Sequence, residues 1–127
     1  MGDQFNLTGD FRGAIVNLKS TLRDVRQTAG QIPGGDDDTR KQLQALIDQL
    51  SGELEKTPPE NKEAAEAVAQ TAKQLVETAK SEKPNKTLLQ ITGEGLKMAA
   101  KNLAEVMPTV ATIAVQIVAA VTKLSGG

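Results

Sequence analysis

The chain lacks cysteine, histidine, tryptophan and tyrosine, and its 127 residues include only two phenylalanines. Without cysteine it has no disulfide, no thiol nucleophile and no thiolate ligand for a metal. Without histidine it has no Ser-His-Asp triad and no imidazole group for acid-base catalysis, and it lacks the side chain that most often binds metal ions in proteins. These absences indicate a protein that is not an enzyme and that carries no metal or cofactor.

An excess of charge is also lacking, since 15 basic and 16 acidic side chains give a net charge of −1. General binding of nucleic acid needs a basic surface, so we expect no nucleic-acid partner. The first residues lack the basic and apolar segments of a secretory signal, and we expect a cytoplasmic protein. Because aromatic area is scarce, Leu, Ile, Val and Ala must fill the core of one domain spanning 1–127.

Apolar residues recur at steps of three and four through most of the chain, which predicts an all-α fold. We expect an up-and-down bundle of four helices over residues 14–127. Turn-forming residues at 33–35, 57–59 and 83–85 separate the helices.

The most apolar stretch is 106–121, and no charged residue lies between Glu105 and Lys123. A helix that is apolar nearly all round must be buried, so we expect this one at the centre of the bundle. Its core residues are Val110, Ile113, Ile117 and Val121. We predict one long last helix that bends at Pro108, because the apolar spacing keeps its phase there. A real turn at Pro108 between two helices is the alternative.

Residues 1–13 predict a short extended arm or strand. Phe5 and Leu7 alternate with polar residues, and the sequence Thr-Gly-Asp at 8–10 is typical of a turn. Such a strand folds back on residues 11–16, pairs with a second copy of the chain, or is a disordered arm. Pairing between copies predicts self-association through Phe5, Leu7, Gly9, Phe11 and Gly13.

Three short motifs are candidates for ligand binding. The acidic run 36–38 is either a helix cap or a site for a hard cation, and the cap is favoured because calcium loops space their ligands. The glycines of 9–13 and 93–95 lack the remaining residues of phosphate and dinucleotide loops. Lys97 and Lys101 lie one turn apart beside apolar residues, which is typical of a solvated helix flank or of a membrane surface.

The N-terminal stretch Gly2-Asp-Gln-Phe-Asn-Leu-Thr-Gly-Asp-Phe-Arg-Gly13 carries a resemblance to known proteins. It resembles the leader GD-x-x-N-x-x-G-x-F-x-G of uncharacterised small helical proteins and effector-associated adaptor modules of bacterial conflict systems. The resemblance implies an adaptor or self-assembly role beside an effector, and it supplies no catalytic residues.

We therefore expect a non-enzymatic protein–protein interaction and self-association module. It assembles into a homo-oligomer through the N-terminal arm and can also bind another protein. The alternative is a membrane-perturbing effector that inserts the apolar C-terminal helix, although 106–121 is shorter than the ~20 residues of a membrane-spanning helix.

Overall fold

The computed structural model describes the backbone of residues 2–81 and 83–125, and the side chains of the same residues except 2–12 and 14. Within these ranges the all-α prediction is confirmed, and no β-strand is present. The elements are α1 (Gly2–Ala29), α2 (Asp37–Leu54), a 3-10 helix (Pro59–Asn61), α3 (Lys62–Lys80), α4 (Lys86–Leu103) and α5 (Pro108–Leu124).

The prediction of an extended N-terminal arm or strand is wrong, because residues 2–13 form the first turns of α1. The spacing of three and four that marks α1 after Ile15 already begins at Leu7 and Phe11. One step of alternation, between Phe5 and Leu7, is too short to compete with a helical period that continues for six turns.

The prediction of four helices is also wrong, because a turn divides the expected last helix into α4 and α5. The turn occupies residues 104–107, and Pro108 is the first residue of α5. Proline is well suited to this position, since the first N–H groups of a helix have no acceptor within it. Pro108 therefore starts a helix and does not bend one.

The other helix boundaries follow from caps and glycines. Asp36 accepts a hydrogen bond from the Thr39 backbone N–H at 2.7 Å, and Asn85 accepts one from the Leu88 N–H at 3.0 Å. Between α1 and α2, Gly35 has a φ of 75°, which is costly for residues with a side chain. An added Cβ there would also lie 2.9 Å from Leu124 Cα, so the loop can pack on the end of α5 only with glycine.

The five helices form a closed ring in the spatial order α1, α2, α5, α4, α3. Helices α1 and α2 are antiparallel, since Lys19 pairs with Glu55 at 2.8 Å and Arg26 with Asp48 at 2.9 Å. Helices α4 and α5 approach closely at Gly93, where a methyl group would lie 3.2 Å from Val118 Cγ1. Every helix is thus flanked by two others and has one side left for solvent.

The core consists of aliphatic side chains from all five helices. Those with the least exposure include Leu22, Leu43, Ile47, Leu50, Leu54, Leu75, Leu96, Leu103, Ile117 and Leu124. Small residues lie between them, such as Ala65 and Ala72 on α3, and let the helices approach. This arrangement supplies a core with hardly any aromatic side chain.

The residues predicted as the core of the last helix, Val110, Ile113, Ile117 and Val121, are all buried. The expectation that the whole stretch 106–121 is buried is wrong. Val106 lies in the turn before α5 and is 51% exposed, and Val115 is equally exposed because α5 lies in the ring with one side outward and is not a central helix.

Candidate functional site

Among the side chains that the structure describes, the largest exposed apolar ones that share one line on the surface belong to α4. Leu88 is 44% exposed, Ile91 61% and Met98 67%. Gly95 lies in the same row, since residues three, four and seven apart share one side of a helix. The buried side of α4 is separate and consists of Thr92, Gly93, Leu96, Ala99, Ala100 and Leu103. Helix α4 therefore has two apolar sides, and only one of them faces the core.

Helix α3 lies beside this row and adds mostly uncharged residues to it. Gly95 packs near Thr71, whose Cγ2 would be 3.8 Å from a Cβ at Gly95. Further along, a shallow groove of about 320 Å³ is lined by Leu88 and Thr92 of α4 and by Gln74, Glu77 and Thr78 of α3. The two helices are antiparallel here, since higher residue numbers on α3 lie beside lower numbers on α4.

The threonines of α3 have already satisfied their hydroxyl groups. Thr71 Oγ1 donates to Ala67 O at 2.8 Å and lies 3.0 Å from Val68 O, and Thr78 Oγ1 donates to Gln74 O at 2.7 Å. A hydroxyl that is bonded to its own helix does not need water as an acceptor. Covering these threonines with another protein therefore costs little desolvation.

We call this surface the α3–α4 face. It consists of Ala67, Thr71, Gln74 and Thr78 on α3 and of Leu88, Ile91, Gly95 and Met98 on α4. None of the eight residues is charged, although Glu77 of α3 lines the same groove as Gln74, Thr78 and Leu88. Large apolar residues in a row without a charge among them are typical of a surface that another molecule covers.

Two further charged residues lie at the end of the α3–α4 face that Met98 and Ala67 share. Lys101 follows Met98 by three residues on α4, and Glu63 precedes Ala67 by one turn on α3. Both side chains are exposed, and neither forms an ion pair with a residue in the described part of the chain. Lys97, by contrast, pairs with Glu94 at 3.4 Å and lies beside the groove between α4 and α5.

The acidic run 36–38 serves the start of α2. Hydrogen bonding by Thr39 holds the pKa of Asp36 below its ordinary value. A hydrogen bond from Arg40 does the same for the pKa of Asp37, and Arg40 also donates to Gly34 O at 2.6 Å and to Ile32 O at 3.1 Å. Among the described residues no group of three or more acidic side chains is arranged to hold a metal ion.

The residues predicted for self-association lie on α1 and do not form a strand edge. Gly13 is exposed. The side chains of Phe5, Leu7 and Phe11, and the surroundings of Gly9, lie outside the described residues. Because the backbone of these residues is helical, the predicted pairing of strands between copies is overturned.

The sequence reasoning missed Leu88, Ile91 and Met98. A signal for them was present, because α4 contains a second apolar row at the spacing 88, 91, 95 and 98 beside the row that leads to Leu96 and Leu103. Nothing in the sequence shows which of the two rows is buried, and only the packing of α4 decides it.

Searches against protein-family models, curated proteins and solved structures gave no match to this chain. In the part of the chain that the structure describes, none of the helices combines the length and the apolar character needed to span a membrane.

Proposed function

We propose that the protein is a non-enzymatic interaction module that self-associates by packing the α3–α4 face of one copy on the α3–α4 face of a second. The observation that carries the proposal is the row of Leu88, Ile91 and Met98, which are exposed and aligned on one side of α4. A face-to-face contact between two copies covers six such side chains at once.

A second copy suits this face because of its composition. The eight residues of the face carry no charge, so their counterparts in a second copy meet them without charge repulsion, and Glu77 lies beside the groove at Leu88. The lack of histidine and cysteine argues for a binding role and against acid-base or thiol catalysis. In this proposal the protein acts as an adaptor in a bacterial cytoplasm. Its dimerisation brings together the molecules to which the two copies are attached.

The test is the mass of the protein in solution as a function of concentration, measured by light scattering after size-exclusion chromatography. We expect the wild-type mass to rise towards that of a dimer. Met98→Glu replaces the most exposed apolar side chain of the row by a charged one and should keep the protein monomeric, because the contact would then bury a carboxylate.

Val115→Glu is the matched control. Val115 is an exposed valine on α5, outside the α3–α4 face, and the substitution introduces the same charge. This variant should associate as the wild type does, and circular dichroism should show both variants folded. A wild type that stays monomeric up to about 1 mM, or equal effects of the two substitutions, would contradict the proposal.

The alternative, a membrane-perturbing effector that inserts α5, makes the opposite prediction with the same two variants. Leakage of dye from anionic lipid vesicles would then fall in Val115→Glu and persist in Met98→Glu, since only Val115 lies on α5. Self-association predicts no leakage from any of the three proteins.

A further inference from the structure

The shape and the edge charges of the α3–α4 face determine how two copies fit together. Because α3 and α4 are antiparallel neighbours, a symmetric face-to-face pair can form in two ways. A twofold axis parallel to the helices places α3 of one copy on α4 of the second. An axis perpendicular to the helices, in the plane of the contact, places α3 on α3 and α4 on α4.

The side chains of the face favour the first arrangement. The α4 half projects long side chains, Ile91 and Met98, whereas the α3 half presents Ala67 and the methyl group of Thr71. Packing α3 on α4 brings Met98 to the level of Ala67 on both sides of the axis, whereas Ile91 comes to the level of Gln74. Packing α4 on α4 brings the long side chains together and leaves a gap between the two α3 helices.

The charges at the edges favour the same arrangement. The contact of Gly95 with Thr71 fixes the register of the two helices. Measured from that level at ~1.5 Å per residue, Lys101 lies about 9 Å and Glu63 about 12 Å towards the same end of the bundle. An axis parallel to the helices keeps each residue at its own level and exchanges the two edges. It therefore brings Lys101 of one copy opposite Glu63 of the second.

An axis perpendicular to the helices gives no such pair. It places Lys101 over the N-terminal half of the other α4, away from Glu63.

Resting on the proposed self-association, we infer that the dimer is a four-helix contact in which α3 of each copy packs on α4 of the other, with Lys101 paired to Glu63 across both edges. Complementary edge charges of this kind select one orientation among several that the apolar contact alone would permit.

The test reverses each charge and then mixes the two variants. Lys101→Glu opposes two carboxylates at each edge of its homodimer, and Glu63→Lys opposes two ammonium groups. Each variant alone should weaken the dimer about tenfold, since two surface pairs change from attraction to repulsion. In an equimolar mixture, a heterodimer recovers opposite charges at both edges, and its Kd should return to within about threefold of the wild-type value.

The mixture excludes an effect within one chain, because mixing two proteins cannot restore a contact inside either of them. Sedimentation equilibrium measures all four samples, and Lys41→Glu, an exposed reversal on α2, should dimerise as the wild type does. If the wild type dimerises but the mixture does not recover, the arrangement is wrong and self-association stands. If Met98→Glu leaves the dimer intact, the α3–α4 face is not the contact, and both proposals are overturned.

Discussion

Replacement of Pro108 by alanine tests the division between α4 and α5. Helix α4 ends at Leu103, and the turn that follows is closed by hydrogen bonds from the Val106 N–H and the Met107 N–H to Leu103 O, at 3.1 and 2.7 Å. Met107 is buried, and its sulfur lies 3.5 Å from the buried hydroxyl oxygen of Thr57. Pro108 begins α5 directly after this anchored residue, with its ring exposed.

The expected effect of Pro108→Ala is a loss of stability of about 0.5–1 kcal/mol. Proline restricts the unfolded chain and already has the φ angle that the first residue of a helix needs, whereas alanine must be ordered on folding. No hydrogen bond within α5 is gained, because the new N–H lies at the helix start. For a chain of this length the melting temperature should fall by roughly 2–4 °C.

The measurement is urea unfolding followed by circular dichroism, with both proteins carrying Met98→Glu so that association does not contribute. Thr109→Ala, at the next exposed position of α5, is the control and should change stability by less than about 0.5 kcal/mol. A rise in stability with Pro108→Ala would refute the reasoning. A proline inside a continuous helix destabilises it by about 3 kcal/mol, so its removal would then be clearly favourable.

Two further changes test the loop between α1 and α2. Gly35→Ala should lower the free energy of unfolding in urea by more than about 1 kcal/mol, because the φ of Gly35 is positive and the new Cβ would meet Leu124. Gly52→Ala is the control inside α2. It should raise the free energy of unfolding by about 0.5–1 kcal/mol, because no atom lies within 4 Å of the new Cβ. Asp36 has a lowered pKa, so its cap contributes stability above about pH 4 and loses it as the pH falls further. The melting temperatures of wild type and Asp36→Ala should therefore converge on acidification.

The helical class and most helix boundaries were predictable because they depend on local chemistry. Asp36 caps α2 and Pro33 lies in the loop before it, as their residue types indicate. The first turns of α1 were misjudged because the window around Phe5 and Leu7 was read alone. The longer spacing from Leu7 through Phe11, Ile15 and on to Leu22 would have extended the helix to the N-terminus.

The turn before α5 could not be recognised from apolar spacing. Residues 104–107 make up nearly one helical turn, and the Met107 N–H bonds to Leu103 O as it would inside a helix. The steps from Leu103 to Met107 and from Met107 to Val110 are four and three, so the core period passes through the break unchanged. One bent helix and two separate helices differ only in the capping residues at the break. Here the N-cap residue of α5, Met107, does not cap any backbone N–H with its side chain.

Apolar content alone also pointed to the wrong helix as the distinctive surface. Helix α5 has hardly any charge, yet its outward side places the polar side chains of Thr112 and Gln116 around the single exposed valine Val115. Helix α4 has a more ordinary composition but leaves Ile91 and Met98 outward. Burial of a helix is set by its place in the ring, whereas a docking surface needs long apolar side chains in a row without charge. For that reason α4, and not the most apolar helix, carries the candidate site.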